Sequence, residues 1–126
     1  MIVKSIALGI SLLMSQSAYA AEFKKFTQAA FEQAQKSGDT VLVEVHADWC
    51  PTCKAQKPAI KDIGTMEKFK NLTVLEADFD TQKDVLKPLK VQTQSTLIVF
   101  KGKNETGRSA GDSDKKSIIK LIETGL

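Results

Sequence analysis

The stretch Val41-Leu42-Val43-Glu44-Val45-His46-Ala47-Asp48-Trp49-Cys50-Pro51-Thr52-Cys53-Lys54 decides the fold. Val41 to Val45 is β-branched and almost wholly apolar, the composition of a central strand buried on both faces. Ala47 to Pro51 breaks the run, and a helix is expected from about Pro51 to Lys70, kinked at Pro58. Cys50 and Cys53 therefore stand where a buried strand hands over to a helix. There several backbone N–H groups lack intrahelical partners and the macrodipole is positive. Both effects stabilise a thiolate on Cys50, and Cys53, one turn on, is close enough to attack a mixed disulfide formed there.

Working outward, Phe23, Phe26, Ala30, Phe31 and Ala34 have helical spacing and predict a helix from Glu22 to Lys36, ended by Ser37-Gly38-Asp39. Leu72 to Ala77 reads as a strand, and Asp80 as the N-cap of a short helix ending near Leu89. Thr96 to Phe100 is a strand, turned at Lys101 to Asn104 into an edge strand from about Glu105 to Ala110. Gly111 breaks that pattern. Asp112 or Ser113 then caps a last helix carrying Ile118, Ile119, Leu121 and Ile122, closed by Gly125. The order α-β-α-β-α-β-β-α implies an α/β domain: a central mixed sheet with parallel pairs and an antiparallel edge, flanked by helices on both faces.

The 126 residues suffice for one compact domain. The net charge of +3 comes from interleaved basic and acidic residues, a mixed solvated surface that speaks against nucleic-acid binding. Residues 1–20 read as a signal peptide. Lys4 precedes the short apolar run Ile6 to Met14, too short to span a bilayer, and Ala18-Tyr19-Ala20 has the small-x-small form of a cleavage site. The mature domain is then 21–126, placed in the periplasm or secreted. Asn71 and Asn104 begin formal Asn-x-Thr sequons and are read as turn residues. The chain has only two cysteines. A bridge across so short a loop removes little chain entropy, so the pair suits redox chemistry better than structural stapling.

The run from Val41 to Lys54, with Pro58, the Leu72–Asp80 region, the Thr96–Phe100 strand and Gly111, resembles the thioredoxin family. It is similar in particular to exported members such as the thioredoxin-like domain of the periplasmic reductant DsbD. The resemblance implies a thioredoxin fold and a protein disulfide oxidoreductase in which Cys50 attacks and Cys53 resolves. It implies no cofactor and no metal. The partners it implies are exported protein thiols and disulfides, with a membrane protein as electron donor; a monomer is the default expectation for so small a domain.

Glu44 is a charge inside an apolar strand. The resemblance places a buried acid there, below the second cysteine, where a carboxyl group of raised pKa takes the proton of Cys53. The alternative is a glutamate on a less buried strand. His46, the only histidine, is read as a packing residue beside the site, the other reading being a charge that stabilises the Cys50 thiolate. Trp49, Pro51, Thr52, Gln94 and Ser95 are expected to form the substrate surface, with core packing as the alternative for Trp49. Ser95 departs from the family, falling where thioredoxins carry a cis-proline. A cis bond before serine is costly, so the Gln94–Ser95 bond is expected to be trans, or cis under strain, and the groove altered. Two rival functions remain at this level. One is a non-catalytic binding module; the other is metal capture by Cys50, Cys53 and His46, for which no fourth ligand is evident.

Overall fold

In the computed structural model, the residues described are 20–126 and the isolated position 9. The expected signal peptide falls outside the described residues.

Five strands form one sheet. β1 (Glu22–Lys25), β2 (Thr40–His46), β3 (Thr73–Asp78), β4 (Thr96–Lys101) and β5 (Asn104–Ala110) lie in the order β1-β3-β2-β4-β5. β3 runs parallel to both β1 and β2, while β4 is antiparallel to β2 and β5 to β4. Helices α1 (Gln28–Ser37), α2 (Pro51–Gly64), α3 (Lys83–Leu86) and α4 (Lys115–Glu123) complete the fold. Every residue of β2 is buried, as its apolar run requires.

Alternation along β2 sorts the core into two layers. Leu42 points to one side, packing with Ile60 and Ile63 of α2 and Ile118 and Ile122 of α4. Val41, Val43 and Val45 point to the other, with Phe31 and Ala34 of α1 and Leu86 of α3. Helices thus cover both faces, as the alternating pattern implies.

Several boundaries differ from the sequence reading, each for a local reason. Glu22 to Lys25 is not the start of a helix but an edge strand paired with β3, and Phe26 N–H continues that ladder to the Glu76 carbonyl at 2.7 Å. The helix begins only after Thr27, whose hydroxyl accepts the Ala30 N–H at 3.0 Å. α2 runs through Pro58 and stops at Gly64, and a separate 3-10 turn, Glu67–Phe69, comes after it. Asp80 does not cap α3, whose N-cap is Gln82. The carboxylate of Asp78 instead accepts the N–H groups of Asp80 and Thr81. The last helix is capped by Asp114, not Asp112 or Ser113, its carboxylate accepting the Ser117 N–H at 3.0 Å.

The chain end is tied to the sheet centre by a close approach. The Thr40 hydroxyl donates to the Gly125 carbonyl at 2.6 Å, and a Cβ on Gly125 would lie 2.7 Å from Thr40 Cγ2 and 2.8 Å from Val99 Cγ1. Both neighbours are stiff β-branched side chains on inner strands. Gly125→Ala is therefore expected to destabilise the fold by about 1–3 kcal/mol through overpacking, measured as a lower urea midpoint.

Candidate active site

Cys50 is the N-cap of α2, with extended backbone at φ −89° and ψ 111°. A cap normally offers a side-chain oxygen. Here the Cys50 sulfur takes that place, accepting the Cys53 N–H at 3.1 Å. Proline at the first helical position costs no hydrogen bond, since that N–H has no partner in any helix. Strand β2, the Ala47–Trp49 turn and the capped helix thus hold the sulfur over free N–H groups, as expected from sequence.

The two thiols are free and buried, each 1% exposed, and their environments differ. Burial pushes the Cys50 thiol up, but hydrogen bonds from the Cys53 thiol and N–H, the Ser95 side chain and the Thr52 backbone outweigh it, leaving Cys50 below the ordinary thiol range. For Cys53, burial and the contact with Cys50 act together and push it well above that range. Its sulfur is directed at the Val45 carbonyl, 3.8 Å away. One thiol is made ready to ionise and its neighbour is kept protonated.

Glu44 is 3% exposed, so the reading of it as a less buried strand residue does not hold. Alternation puts it on the same side of β2 as Leu42, beneath α2. Its Oε1 has no hydrogen-bond partner among the described residues. Burial first, and then the Glu76 carboxylate, push its carboxyl up to about 7 against the opposing effect of Lys57 and His46. Glu76 is its register partner on β3 and itself pairs with Lys57 of α2 at 3.2 Å. Lys57 therefore takes part in the electrostatics beneath the cysteines.

His46 is bonded to Asp48. Its Nε2 lies 3.1 Å from Asp48 Oδ1, and no group of three or more His, Cys, Asp or Glu among the described residues is arranged to hold a metal ion. Trp49 is 57% exposed and so is not a core residue. Its indole N–H donates to Asp80 Oδ2 at 2.8 Å, which fixes the ring beside the cysteines. Pro51 is exposed, while Thr52 and Gln94 are half-buried. Phe79, which the sequence reading did not single out, packs against Ala47, Cys50 and Cys53.

Ser95 is buried and the bond before it is trans, there being no cis peptide among the described residues. Its backbone is left-handed at φ +56°, a region that disfavours residues other than glycine. Its N–H donates to the Val45 carbonyl at 2.8 Å, and its carbonyl accepts from Gly111 N–H at 3.2 Å and from Gln56 Nε2 at 3.0 Å. Gln56 also escaped the sequence reading. Its signal was a polar residue within the buried stripe Cys53, Gln56, Ile60, Ile63.

A strand-to-helix cysteine pair of unequal acidity on a five-stranded mixed sheet has close counterparts among known proteins. The thioredoxin family model matches residues 22–124. The chain belongs to the thioredoxin family. Thioredoxin of Chlamydia trachomatis is 34% identical over 96 residues, covering 76% of this chain and 91% of that protein. Thioredoxin of Mycobacterium tuberculosis is 33% identical over 99 residues, covering 78% and 84%. Among solved structures, Trxlp from Edwardsiella tarda is 38% identical with a TM-score of 0.78, covering 80% of this chain and 98% of that one. Thioredoxin and protein disulfide-isomerase homologues support thiol–disulfide oxidoreductase activity, and thioredoxin family members act on protein thiols or disulfides.

The Glu44 carboxyl gives this protein a pH signature. Its folded pKa of about 7 lies above the ordinary value of 4.5, so the folded state holds the proton more tightly than the unfolded chain. Below about pH 4.5 both states are protonated and nothing is lost; as pH rises towards 7 the folded state gives up stability, by about 3 kcal/mol once both are ionised. Glu44→Gln should therefore match the wild type near pH 4.5 and exceed it in stability by up to about 3 kcal/mol at pH 8, read from urea unfolding at the two pH values.

Proposed function

We propose that this protein is a thiol–disulfide oxidoreductase working in the reducing direction on other exported proteins, recharged by a membrane electron donor. The observation that carries the chemistry is the unequal pair: Cys50 stabilised as a thiolate by the Cys53 N–H at 3.1 Å, and Cys53 held protonated beneath it.

The Cys50 thiolate attacks one sulfur of a partner's disulfide. The partner's S–S bond breaks, a Cys50–partner disulfide forms, and the displaced sulfur leaves as a thiolate that takes up a proton. Cys53 then loses its proton and attacks the Cys50 sulfur, so the partner's second sulfur leaves and is protonated in turn. Two electrons have passed from the dithiol to the partner, and the chain is left with a Cys50–Cys53 disulfide. Glu44 is proposed as the acceptor of the Cys53 proton. A carboxyl group titrating near 7, beneath the helix that carries Cys53, is matched to accept a proton near neutral pH. Trp49, Pro51, Thr52, Gln94 and Ser95 are proposed as the surface that receives the partner.

Support for export is the Lys4, Ile6–Met14 and Ala18-x-Ala20 pattern of the first twenty residues. Support for the reducing direction is Glu44 together with the resemblance to the DsbD-type domain. The deciding measurement is the reduction potential of the chain from residue 21 on, equilibrated with defined glutathione and dithiothreitol ratios. A potential near about −270 mV is expected, and one near about −120 mV would make it an oxidant.

A second measurement separates the roles of the two cysteines. Cys53→Ala should accumulate a mixed disulfide between Cys50 and a partner protein, visible on non-reducing gels of periplasmic extract. Cys50→Ser should form none, and full biological activity of Cys50→Ser would leave only a binding role.

A further inference from the structure

An open groove of about 440 Å³ adjoins the redox centre. Its apolar lining is Phe79, Leu86 and Val91, and the exposed Lys83, Lys87 and Lys90 border it. Phe79 joins the groove to the chemistry, since the same half-buried ring packs against Ala47, Cys50 and Cys53. Lys83 Nζ stands 5.4 Å from the centre of that ring. No carboxylate is among the residues that line the groove. Lysines on a helix are ordinarily a solvated face. These three border a single apolar hollow.

The protein's own charge pairing leaves these lysines over. None of the three forms an ion pair among the described residues. Lys90 acts on Glu105, but Arg108 already holds that carboxylate. The neighbouring acids are committed elsewhere or lie off the groove. Asp78 accepts the N–H groups of Asp80 and Thr81, Asp80 accepts the Trp49 indole, and Asp84 is not part of the lining. The wall itself is fixed. Arg108 donates to the Lys90 carbonyl at 3.3 Å and the Leu89 carbonyl at 3.0 Å, and Lys90 is left-handed at φ +56°. A surface held in place before binding spends little on ordering. An apolar hollow bordered by unpaired cations is complementary to an apolar side chain flanked by carboxylates.

We propose that this groove docks the partner protein through an acidic segment that carries an apolar side chain. The apolar side chain settles on Phe79, Leu86 and Val91, and the flanking carboxylates pair with Lys83, Lys87 and Lys90. The proposal rests on the oxidoreductase reading of the pair and adds the partner's chemistry to it. Phe79 lies between the groove and the cysteines. A segment seated there brings a disulfide near it in the partner's chain up to Cys50, so that attack no longer waits on a chance encounter.

The test is a titration of the isotope-labelled, reduced protein followed by its backbone amide resonances. Two short cysteine-free peptides serve as probes, one alternating glutamate with leucine and the other lysine with leucine. The acidic peptide should shift Phe79, Leu86 and Val91 and bind about tenfold more tightly than the basic one at low salt. Added salt should erode that preference. Lys83→Gln, Lys87→Gln and Lys90→Gln together should abolish it. Lys36→Gln, Lys103→Gln and Lys116→Gln, at exposed positions off the groove, should leave it in place. Equal affinity for the two peptides, or shifts confined to other residues, would overturn the proposal. So would an equal loss in the off-groove variant, which would show attraction by net charge alone. Tighter binding of dodecanoate than of the acidic peptide would assign the groove to a lipid. Shifts of the same amides on concentrating the protein alone would assign it to a second copy. Either result also overturns the proposal. Should the groove variant not fold, the comparison of the two peptides on the wild type decides. These readouts need no electron transfer, so a failed reduction assay counts against the oxidoreductase reading separately.

Discussion

The contact between the Cys53 N–H and the Cys50 sulfur, 3.1 Å long, is the interaction on which the site depends. It is a helix cap and a redox device in one. A helix must satisfy its first N–H groups, and most do so with a hydroxyl or carboxylate oxygen. Here the acceptor is a sulfur that becomes a better acceptor on losing its proton. The demand that starts α2 is therefore the same demand that favours the thiolate. The rest of the molecule keeps that cap in place: β2 buried on both faces, Ile60 and Ile63 seating the helix, and the Ser95 loop closing over it.

The chemistry arranged around this contact is made uneven by burial. Desolvation acts on both sulfurs, yet only Cys50 has enough donors to offset it. Beneath them, Glu44 and Glu76 share a register while Lys57 reaches Glu76 from above. Burial keeps the proton on Glu44 to higher pH, the facing Glu76 carboxylate adds to it, and the lysine only partly compensates.

Much of this was legible in the sequence because it is written locally. A largely β-branched run, a cysteine pair after its end and a Pro at the adjoining helix start fix the central strand, the helix and the redox centre without any distant contact. Glu44 was legible for the same reason, as a charge in an apolar run. The features that escaped depend on partners remote in sequence. Phe23 and Phe26 share helical spacing with Ala30 and Phe31, but pairing with β3 claims the segment before Thr27 as a strand. Asp80 looked like a cap and serves Trp49 instead. Asp112 looked like a cap and uses its carbonyl to receive Gln56, while Asp114 caps α4. Ser95 was recognised as a departure. Its accommodation by a trans bond and a left-handed backbone comes from three hydrogen bonds, to Val45, Gly111 and Gln56, that no local pattern displays.

Trp49 has a consequence outside the chemistry. It is the chain's single tryptophan, it lies half in solvent one residue before Cys50, and its indole N–H is fixed on Asp80. Emission from an indole responds to its polarity, its hydrogen bond and to sulfur close by. All of the protein's tryptophan fluorescence thus originates at the edge of the redox centre, with no second fluorophore of its kind to dilute it. The molecule carries its own optical probe, and the state of the cysteine pair can be monitored in solution without a label.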